Sequence, residues 1–348
     1  MRKKSFLGMC LFVLMAMFLV ACNSETSGSE EEKDSQNDET SESGENITID
    51  LVSTLPEAEH SILLDGLAEN FKENSDGRIE FNKFTDGVLG GEAEGMKQVS
   101  SGEVNMAIGV LHSSLYYPEY DAPGVPYLFS NYDNILEYMN GPIGEKIDEV
   151  LLEEANMVQI GYYLSGPRWM TANKPIERAA DIDGLKIRLS ENPLHIGVWE
   201  ELGAVITPMP SPDVFSALQT GVIDSQENWL SNISGRHLNE AQDYLMKTDH
   251  ILSFGTVLVN NDWWTSLSDS DREMIQTSVS DALEHANSFL EDEQQRIVDS
   301  LINEGGMELV EPDVTDIRDA AESGINKVID EELAPEVKEE LQDMGIIK

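Results

Sequence analysis

Cysteine is nearly absent from this 348-residue chain, which contains only Cys10 and Cys22. Cys10 lies in an apolar N-terminal segment that has the pattern of a secretion signal, so we expect it to be removed. Cys22 is a predicted lipidation site, as argued below. The mature chain would then have no disulfide, no thiol nucleophile and no metal site built from thiolates.

Basic residues are also scarce, with 22 Lys and Arg against 66 Asp and Glu, which gives a formal net charge of −44. Nucleic-acid binding requires a basic face that neutralises phosphates, so this composition argues against a nucleic-acid partner. A strongly acidic surface keeps a protein soluble where salt screens its self-repulsion. We therefore interpret the acidity as a sign of a saline or alkaline habitat.

Motifs for catalysis or cofactor binding are missing as well. The sequence contains no P-loop, no GxGxxG fingerprint and no GxSxG elbow. Its six histidines are not paired at metal-ligand spacing, and carboxylates are too abundant for a catalytic pair to be chosen. We predict no metal, no cofactor and no catalytic residue. The histidines are His60, His112, His195, His237, His250 and His285.

One long hydrophobic run is present, at residues 6–21, and it follows three basic residues at 2–4. This pattern predicts a signal peptide over residues 1–21, because the run is too short and wrongly flanked for a transmembrane helix. The sequence LVAC at 19–22 resembles a lipoprotein processing box, which predicts lipidation of Cys22. The alternative is an ordinary signal sequence with an incidental cysteine.

Residues 23–46 contain nine acidic residues, one lysine and no aliphatic or aromatic side chain. Such a segment has nothing to bury that would offset the entropy lost on ordering. We therefore predict that residues 22–46 form a lipidated cysteine followed by a disordered, acidic tether.

Strand and helix patterns alternate over residues 47–348, which predicts an α/β fold with parallel sheets. In one strand, Leu185, Ile187 and Leu189 alternate with Lys186 and Arg188, so the three aliphatic residues should face the core. Arg188 should then lie on the opposite face.

Two further helix signals follow that strand. Pro193 should lie near the start of one helix, and Ser211 should cap a second helix that ends at Gly221. A much longer helix is predicted over residues 269–304, because apolar residues keep a helical rhythm there and neither Gly nor Pro interrupts them. Ser268 should cap that helix, whose length of about 50 Å would let it extend across two domains.

Several motifs occur together in a characteristic order. GLKIR (184–188) precedes a helix, LGA, TPMP and ALQTGVIDSQEN (217–228), while YPEYDAPGVPYLFSNYDN (117–134) and GPRWMTANKPI (166–176) lie upstream. In this order the chain, from about 47 to 310, resembles the solute-binding proteins of TRAP transporters, the tripartite ATP-independent secondary carriers, of the dicarboxylate-receptor type.

The resemblance implies a two-domain, periplasmic-binding-protein-like fold of the class II type, with a hinge and a long helix that spans both domains. We place one domain at residues 47–165 plus about 254–293. The other comprises residues 166–253 plus about 294–348.

The same resemblance implies substrate-contacting residues. Arg188 matches an arginine that forms a two-pronged salt bridge with a substrate carboxylate in the family, and a planar guanidinium suits that task. Arg168 and Asn228 match further contact positions. The alternatives are surface salt bridges for the arginines and a turn role for Asn228.

Aromatic residues near these positions could form apolar walls, although buried aromatics more often belong to a core. We include Trp169, Phe215 and Trp229 among the predicted substrate-binding residues. His60 and His112 are added because the corresponding stretches face the cleft in related proteins.

Two positions bear on the ligand. Ser211 and Gly109 occupy places where sialic-acid receptors carry an aromatic residue and a carboxylate, which argues against a sialic-acid ligand.

The resulting prediction is an extracytoplasmic, lipid-anchored receptor that captures a small organic carboxylate: a dicarboxylate, a hydroxy or oxo acid, or a sugar acid. It would deliver this anion to the small and large TRAP membrane subunits. The alternatives are an ABC-type or sensory solute-binding lipoprotein and, less favoured by the missing motifs, a secreted enzyme.

Overall fold

The structure is a computed structural model that describes residues 45–109 and 116–348. The predicted signal peptide (1–21), the lipidation site Cys22, most of the predicted tether and His112 lie outside the described residues. No helix in the described ranges combines the length and the apolar character needed to cross a bilayer.

Ten β-strands form one continuous sheet within the described residues. They are β1 (Ile47–Ser53), β2 (Ile79–Phe84), β3 (Met106–Gly109), β4 (Met157–Ala172), β5 (Lys186–Leu189), β6 (Val205–Pro208), β7 (Ser225–Trp229), β8 (Tyr244–Met246), β9 (Leu252–Asn260) and β10 (Glu308–Val310). The spatial order is β2-β1-β3-β9-β4-β7-β5-β6, with β8 paired to β4 and β10 to β8.

Helices connect most of these strands. The α-helices that lie wholly in the described ranges are α1 (Ser61–Asn74), α2 (Glu92–Ser101), α3 (Tyr132–Met139), α4 (Pro142–Ala155), α5 (Pro193–Glu201), α6 (Val214–Gln219), α7 (Leu230–Gly235), α8 (Asn261–Ser266), α9 (Asp269–Ser288), α10 (Leu290–Asn303), α11 (Val314–Glu332) and α12 (Pro335–Asp343). A 3₁₀ turn at Glu57–His60 precedes α1.

The prediction of an α/β fold is confirmed, but the sheet is mixed rather than parallel. β1 pairs in parallel with β2 and β3, and β5 pairs in parallel with β6 and β7. The strands that link these groups, β4 and β9, run antiparallel to their neighbours. The strand-helix alternation predicted the parallel groups correctly, and it carries no signal for the linking strands.

Strand β4 changes partner along its length, which divides the sheet into two halves. Up to Pro167 it pairs with β9, and from Arg168 onward it pairs with β7. We call β1, β2, β3, β9 and the first part of β4 the first sheet half. The second sheet half contains the end of β4 with β5, β6, β7, β8 and β10.

The alternation predicted for β5 is confirmed for the face that packs in the core, but the opposite face is partly covered as well. Leu185, Ile187 and Leu189 are buried in the core beside α5, as expected. Lys186 is exposed, whereas Arg188 on the same face is only 2 % exposed. Arg188 is therefore covered by other elements, and its charge is removed from bulk water.

The caps around the second sheet half are partly as predicted. Pro193 is the first residue of α5, and the Asn192 side chain caps that helix by accepting hydrogen bonds from the backbone N–H groups of residues 194 and 195. The predicted cap at Ser211 is wrong. Its hydroxyl donates to Asn232 Oδ1 at 3.2 Å instead, and a 3₁₀ turn at Ser211–Asp213 leads into α6.

The predicted uninterrupted helix over 269–304 is also wrong, although Ser268 caps its start as expected. Helix α9 ends at Ser288, Phe289 adopts φ −100° and ψ 1°, and α10 begins at Leu290. Side chains on both helices bond to β4, where Asn287 accepts from the Leu164 N–H and Gln294 donates to the Ser165 carbonyl. This docking onto an irregular strand accompanies a break that needs neither Gly nor Pro.

Candidate functional site

A cleft of about 210 Å³ is lined by residues of both sheet halves. One wall contains Thr54, which follows β1, and residues within 91–97 around the start of α2. The other wall contains residues within 188–191 at the end of β5 and 209–211 after β6. Ligands of α/β sheets bind beyond the carboxyl ends of parallel strands. The cleft occupies that position for β1, β5 and β6.

Arg188 reaches the cleft from β5 with its guanidinium only partly engaged. Its Nε and Nη2 donate to the Met209 carbonyl oxygen at 2.9 and 2.6 Å. No carboxylate of the described residues lies within 4.0 Å of it. Burial lowers the pKa of Arg188 to about 10, although Glu227 opposes this shift. The group therefore stays cationic at neutral pH.

Arg168, on β4, is equally buried but has an acidic partner. Its Nε and Nη2 donate to the two carboxylate oxygens of Glu227 at 2.5 and 2.9 Å, and Nη2 also reaches the Glu227 carbonyl at 3.2 Å. The pairing of β4 with β7 brings these residues together across 59 positions of sequence. This two-pronged ion pair uses the donor fork of Arg168 within the protein.

Two histidines complete the surroundings of Glu227. His250 Nε2 lies 2.9 Å from a carboxylate oxygen and His195 Nε2 lies 3.8 Å from it, while the two rings stack at 5.7 Å. Burial alone would raise the pKa of Glu227, but Arg168 and the histidines hold that pKa well below its usual range. Burial also lowers the pKa of His195 to about 3, so this ring is neutral.

His195, Glu227 and His250 have the donor types of a metal site, and their ligand atoms lie within 4.8 Å of one another. However, the Arg168 guanidinium is hydrogen-bonded to the same carboxylate. A metal cation there would sit beside a permanent positive charge. The three residues therefore fit a site in which Glu227 neutralises the charge of Arg168 better than they fit a metal site.

The wall opposite Arg188 carries a second ionisable group, Glu92, at the first turn of α2. One of its carboxylate oxygens accepts a hydrogen bond from the Thr54 hydroxyl at 3.1 Å. Burial raises the pKa of Glu92, and Arg188 and Arg168 oppose this shift. The cleft thus presents a guanidinium on one side and a carboxyl group on the other.

Four predicted site residues are not walls of this cleft. Trp169 donates from Nε1 to Asp249 and packs with Phe215 in the core of the second sheet half. Trp229 lies beneath Arg168, with the guanidinium carbon 5.0 Å from its ring centre. His60 is held between the Pro56 carbonyl and the Ser231 hydroxyl. Burial against neighbouring elements accounts for all four positions.

Asn228 is buried on β7 beside Glu227, and its Oδ1 accepts from the N–H of Trp229 at 3.2 Å. His112 lies outside the described residues, so its predicted contact stays a prediction. Of the predicted residues, the structure therefore places Arg188 in the cleft and Arg168 in a smaller cavity next to it.

Sequence reasoning missed several residues that shape the site, and each carried only a weak signal. Glu227 lies within the QEN motif, and Glu92 follows the glycine pair 90–91 that precedes α2. Ser190 lines both the cleft and the smaller cavity, and its hydroxyl has no hydrogen-bond partner among the described residues. His195 was visible only as one isolated histidine.

Comparison with known proteins agrees with this geometry. Residues 57–332 match the model of the bacterial extracellular solute-binding proteins, family 7. A solute-binding protein of Roseobacter denitrificans is 32% identical over 273 residues, which cover 78% of this chain and 83% of that protein. The C4-dicarboxylate-binding periplasmic protein DctP of Rhodobacter capsulatus is 24% identical over 258 residues, covering 74% and 76%.

The Roseobacter denitrificans protein, described as a TRAP periplasmic solute-binding protein, also has a crystal structure with bound L-galactonate. It superposes with a TM-score of 0.79 at 29% identity and covers 86% of this chain and 99% of that one. A two-domain α/β fold with a cleft between strand ends defines a periplasmic-type solute-binding protein. The chain belongs to the bacterial extracellular solute-binding proteins of family 7.

Proposed function

We propose that this protein is the extracytoplasmic receptor of a TRAP transporter that captures a small organic carboxylate and delivers it to the membrane permease subunits. The observation that supports this proposal is the guanidinium of Arg188, which is buried and cationic at the edge of the cleft and has no carboxylate of the described residues within salt-bridge distance. A carboxylate is the group that matches such a donor fork.

We assign the ligand's carboxylate to Arg188, with Arg168 and Glu227 as the braced pair behind it. Asn228 is proposed as a further contact that a small rotation of its amide would bring to the ligand, and His112 as a contact from the opposite half. Trp229 supports the ligand site indirectly, through the guanidinium of Arg168 that lies over its ring.

Two lobes divided as 47–165 plus 254–293 and 166–253 plus 294–348 would close on the ligand. The change of β4 partner between Pro167 and Arg168 supports the first crossing. A ligand that contacts both walls only in the closed form stabilises closure by its difference in affinity for the two forms.

The two sheet halves already touch beside the cleft. Arg236, directly after α7, donates to the Thr54 carbonyl at 2.7 Å, and Ser234 donates to Glu59 at 3.1 Å. Thr54 also lines the cleft. This arrangement would couple movement of α7 to the wall that meets the ligand.

We further propose that residues 1–21 direct export, that Cys22 carries the lipid anchor and that residues 22–46 are the tether. The support is the basic start, the apolar run and the LVAC sequence. The receptor would then be held at the outer face of the cell membrane. We also propose binding without turnover, so a bound acid should be recovered chemically unaltered.

A thermal-shift screen of organic acids tests the proposal. Several small carboxylates should raise the unfolding temperature of the wild-type protein, because binding to the folded state alone stabilises it. Neutral analogues, such as the matching amides or alcohols, should not. If no carboxylate raises the unfolding temperature, or amides do so equally well, the proposed function is wrong.

A further inference from the structure

We infer that the cleft selects a singly charged carboxylate that carries several hydroxyl groups, such as a sugar acid of the aldonate type, over a dicarboxylate. This inference rests on the proposed function and specifies the ligand class of the same site. Two observations support it. Arg188 has no hydrogen-bonded carboxylate among the described residues, and the carboxyl group of Glu92 lines the same cleft.

Of the two arginines that the structure describes at the site, Arg188 is the one without a hydrogen-bonded carboxylate. Arg168 donates to both carboxylate oxygens of Glu227, and both residues are almost fully buried. The pair is therefore neutral as a unit, and a ligand carboxylate that approached Arg168 would also meet the negative charge of Glu227. Arg188 donates only to a backbone carbonyl, which does not neutralise it.

The ionisable groups that line the cleft are mostly acidic. Among the residues that the structure describes, they comprise two cations, Arg188 and Lys97, and three carboxyl groups, Glu92, Glu94 and Glu191. Lys97 is exposed, so water and salt screen its charge. A second carboxylate on the ligand would find no second buried cation among the described lining residues, and desolvating an unpaired charge is costly.

Glu92 adds to the cost of a second carboxylate at the end of the ligand that lies away from Arg188. It lines the cleft from the start of α2, whereas Arg188 lines the same cleft from β5, and the charges of the two groups act on each other. A ligand anchored by one carboxylate at Arg188 would extend toward this carboxyl group. A second ligand carboxylate would be repelled there, because like charges at close range destabilise each other. A hydroxyl group would instead donate a hydrogen bond to a Glu92 oxygen.

The polar uncharged groups of the cleft suit hydroxyls. Thr54, Ser190 and Ser211 line it, and each hydroxyl can both donate and accept a hydrogen bond. The hydroxyl of Ser190 is buried without a partner in the described structure, so a ligand hydroxyl would satisfy it. A volume of about 210 Å³ is below the roughly 300–1,000 Å³ typical of drug-sized ligands, so it fits a small metabolite.

The test compares two acids that differ in one end group. L-Galactonate and galactarate share a six-carbon chain with four internal hydroxyls, but galactarate has a second carboxylate where galactonate has a hydroxymethyl group. Titration calorimetry at pH 7.5 and fixed salt should show galactonate binding at least tenfold more tightly than galactarate. Succinate should bind more weakly than galactonate as well.

Glu92→Gln tests the physical cause. It retains a hydrogen-bonding group of the same size and removes the charge that opposes a second carboxylate. The ratio of the galactarate to the galactonate dissociation constant should therefore fall at least threefold in this variant. Glu73→Gln, at an exposed position of α1 away from the cleft, removes the same formal charge and should leave the ratio unchanged.

The outcomes separate this inference from the proposed function. Galactarate or succinate binding as tightly as galactonate would overturn the selection for single charge and leave carboxylate capture intact. An unchanged ratio in Glu92→Gln would overturn the role assigned to Glu92. If none of the three acids binds and a wider screen finds no carboxylate ligand, the proposed function fails together with the inference.

Discussion

Arg168 and Arg188 are buried to nearly the same extent, 3 % and 2 % exposed, on strands of the same sheet half, but their guanidinium groups have different partners. Arg168 forms a two-pronged ion pair with Glu227, which His250 also contacts. Arg188 has a single carbonyl oxygen as its acceptor and faces a cleft. Both arginines are predicted substrate contacts, yet among the described residues Arg168 has a carboxylate as its hydrogen-bond partner and Arg188 has none.

The difference shows that burial alone does not identify a binding arginine. Mutual attraction offsets part of the desolvation cost of a buried ion pair, and removing one partner leaves the other charge buried and uncompensated, so we interpret Arg168 as a structural residue. A buried arginine without an acid keeps that cost in the unliganded protein, and an incoming anion relieves it. We therefore expect the two residues to respond to replacement in opposite ways, one in stability and the other in binding.

The largest effect should come from Arg168→Met. This change leaves Glu227 buried and without its cation, and breaking such a pair typically costs about 3–5 kcal/mol. The free energy of unfolding, measured by urea denaturation, should fall by this amount. Adding Glu227→Gln, which removes the stranded charge, should restore most of it. A loss below about 1 kcal/mol in the single variant would show that the pair is not structural.

Replacing the second arginine should act on binding instead. Arg188→Ala removes the group assigned to the ligand's carboxylate, so affinity for a bound acid should fall by about 2–5 kcal/mol, or roughly 30-fold or more. The unfolding temperature of the unliganded protein should stay the same or rise, because an unpaired buried charge is lost.

Arg318→Ala is the matched control for that variant, since Arg318 is exposed on α11 and carries the same charge. It should change neither affinity nor stability measurably. Unchanged affinity in Arg188→Ala would defeat the assignment of the carboxylate to Arg188, and a large loss of stability there would erase the contrast between the two arginines.

A smaller, pH-dependent effect should report on the neutral histidines beside the paired arginine. Burial lowers the pKa of His195 to about 3, whereas an unfolded histidine titrates near 6.5. Below pH 6.5 the unfolded state binds a proton that the folded state does not. Stability should therefore decrease as pH falls through this window, by up to about 1.4 kcal/mol per pH unit for this residue.

His195→Gln should make the decline of unfolding free energy between pH 7 and pH 5 shallower than in the wild type. His285→Gln, at an exposed position of α9, serves as the control and should leave the slope as it is. Equal slopes for His195→Gln and the wild type would mean that the pKa of His195 is the same in the folded and the unfolded state, which would contradict this prediction.

Much of the fold could be predicted because local patterns encode it. Alternating aliphatic residues identified β5, and Pro193 identified the start of α5. The same alternation placed Arg188 on β5, whereas its role as a substrate contact comes from the resemblance and stays a prediction. Both elements are confirmed because each depends on sequence periods or turn chemistry that act over a few residues.

The rest of the site depends on tertiary register. Glu227 becomes the partner of Arg168 only when β4 and β7 pair, and His250 reaches it from the segment after β8. The break at Phe289 lies between side chains that bond to β4, and no Gly or Pro marks it in the sequence. The Ser211 side chain was expected to cap a helix, but its hydroxyl donates a hydrogen bond to Asn232 Oδ1 instead.

The most direct measurement is a crystal structure of the wild-type protein with a bound organic acid. We expect a ligand carboxylate within about 3 Å of the Arg188 guanidinium nitrogens, the normal distance of a charge-assisted hydrogen bond. We also expect the bond between Arg168 and Glu227 to be intact. A carboxylate bound to Arg168 with Glu227 displaced, or an acid bound away from Arg188, would contradict this prediction.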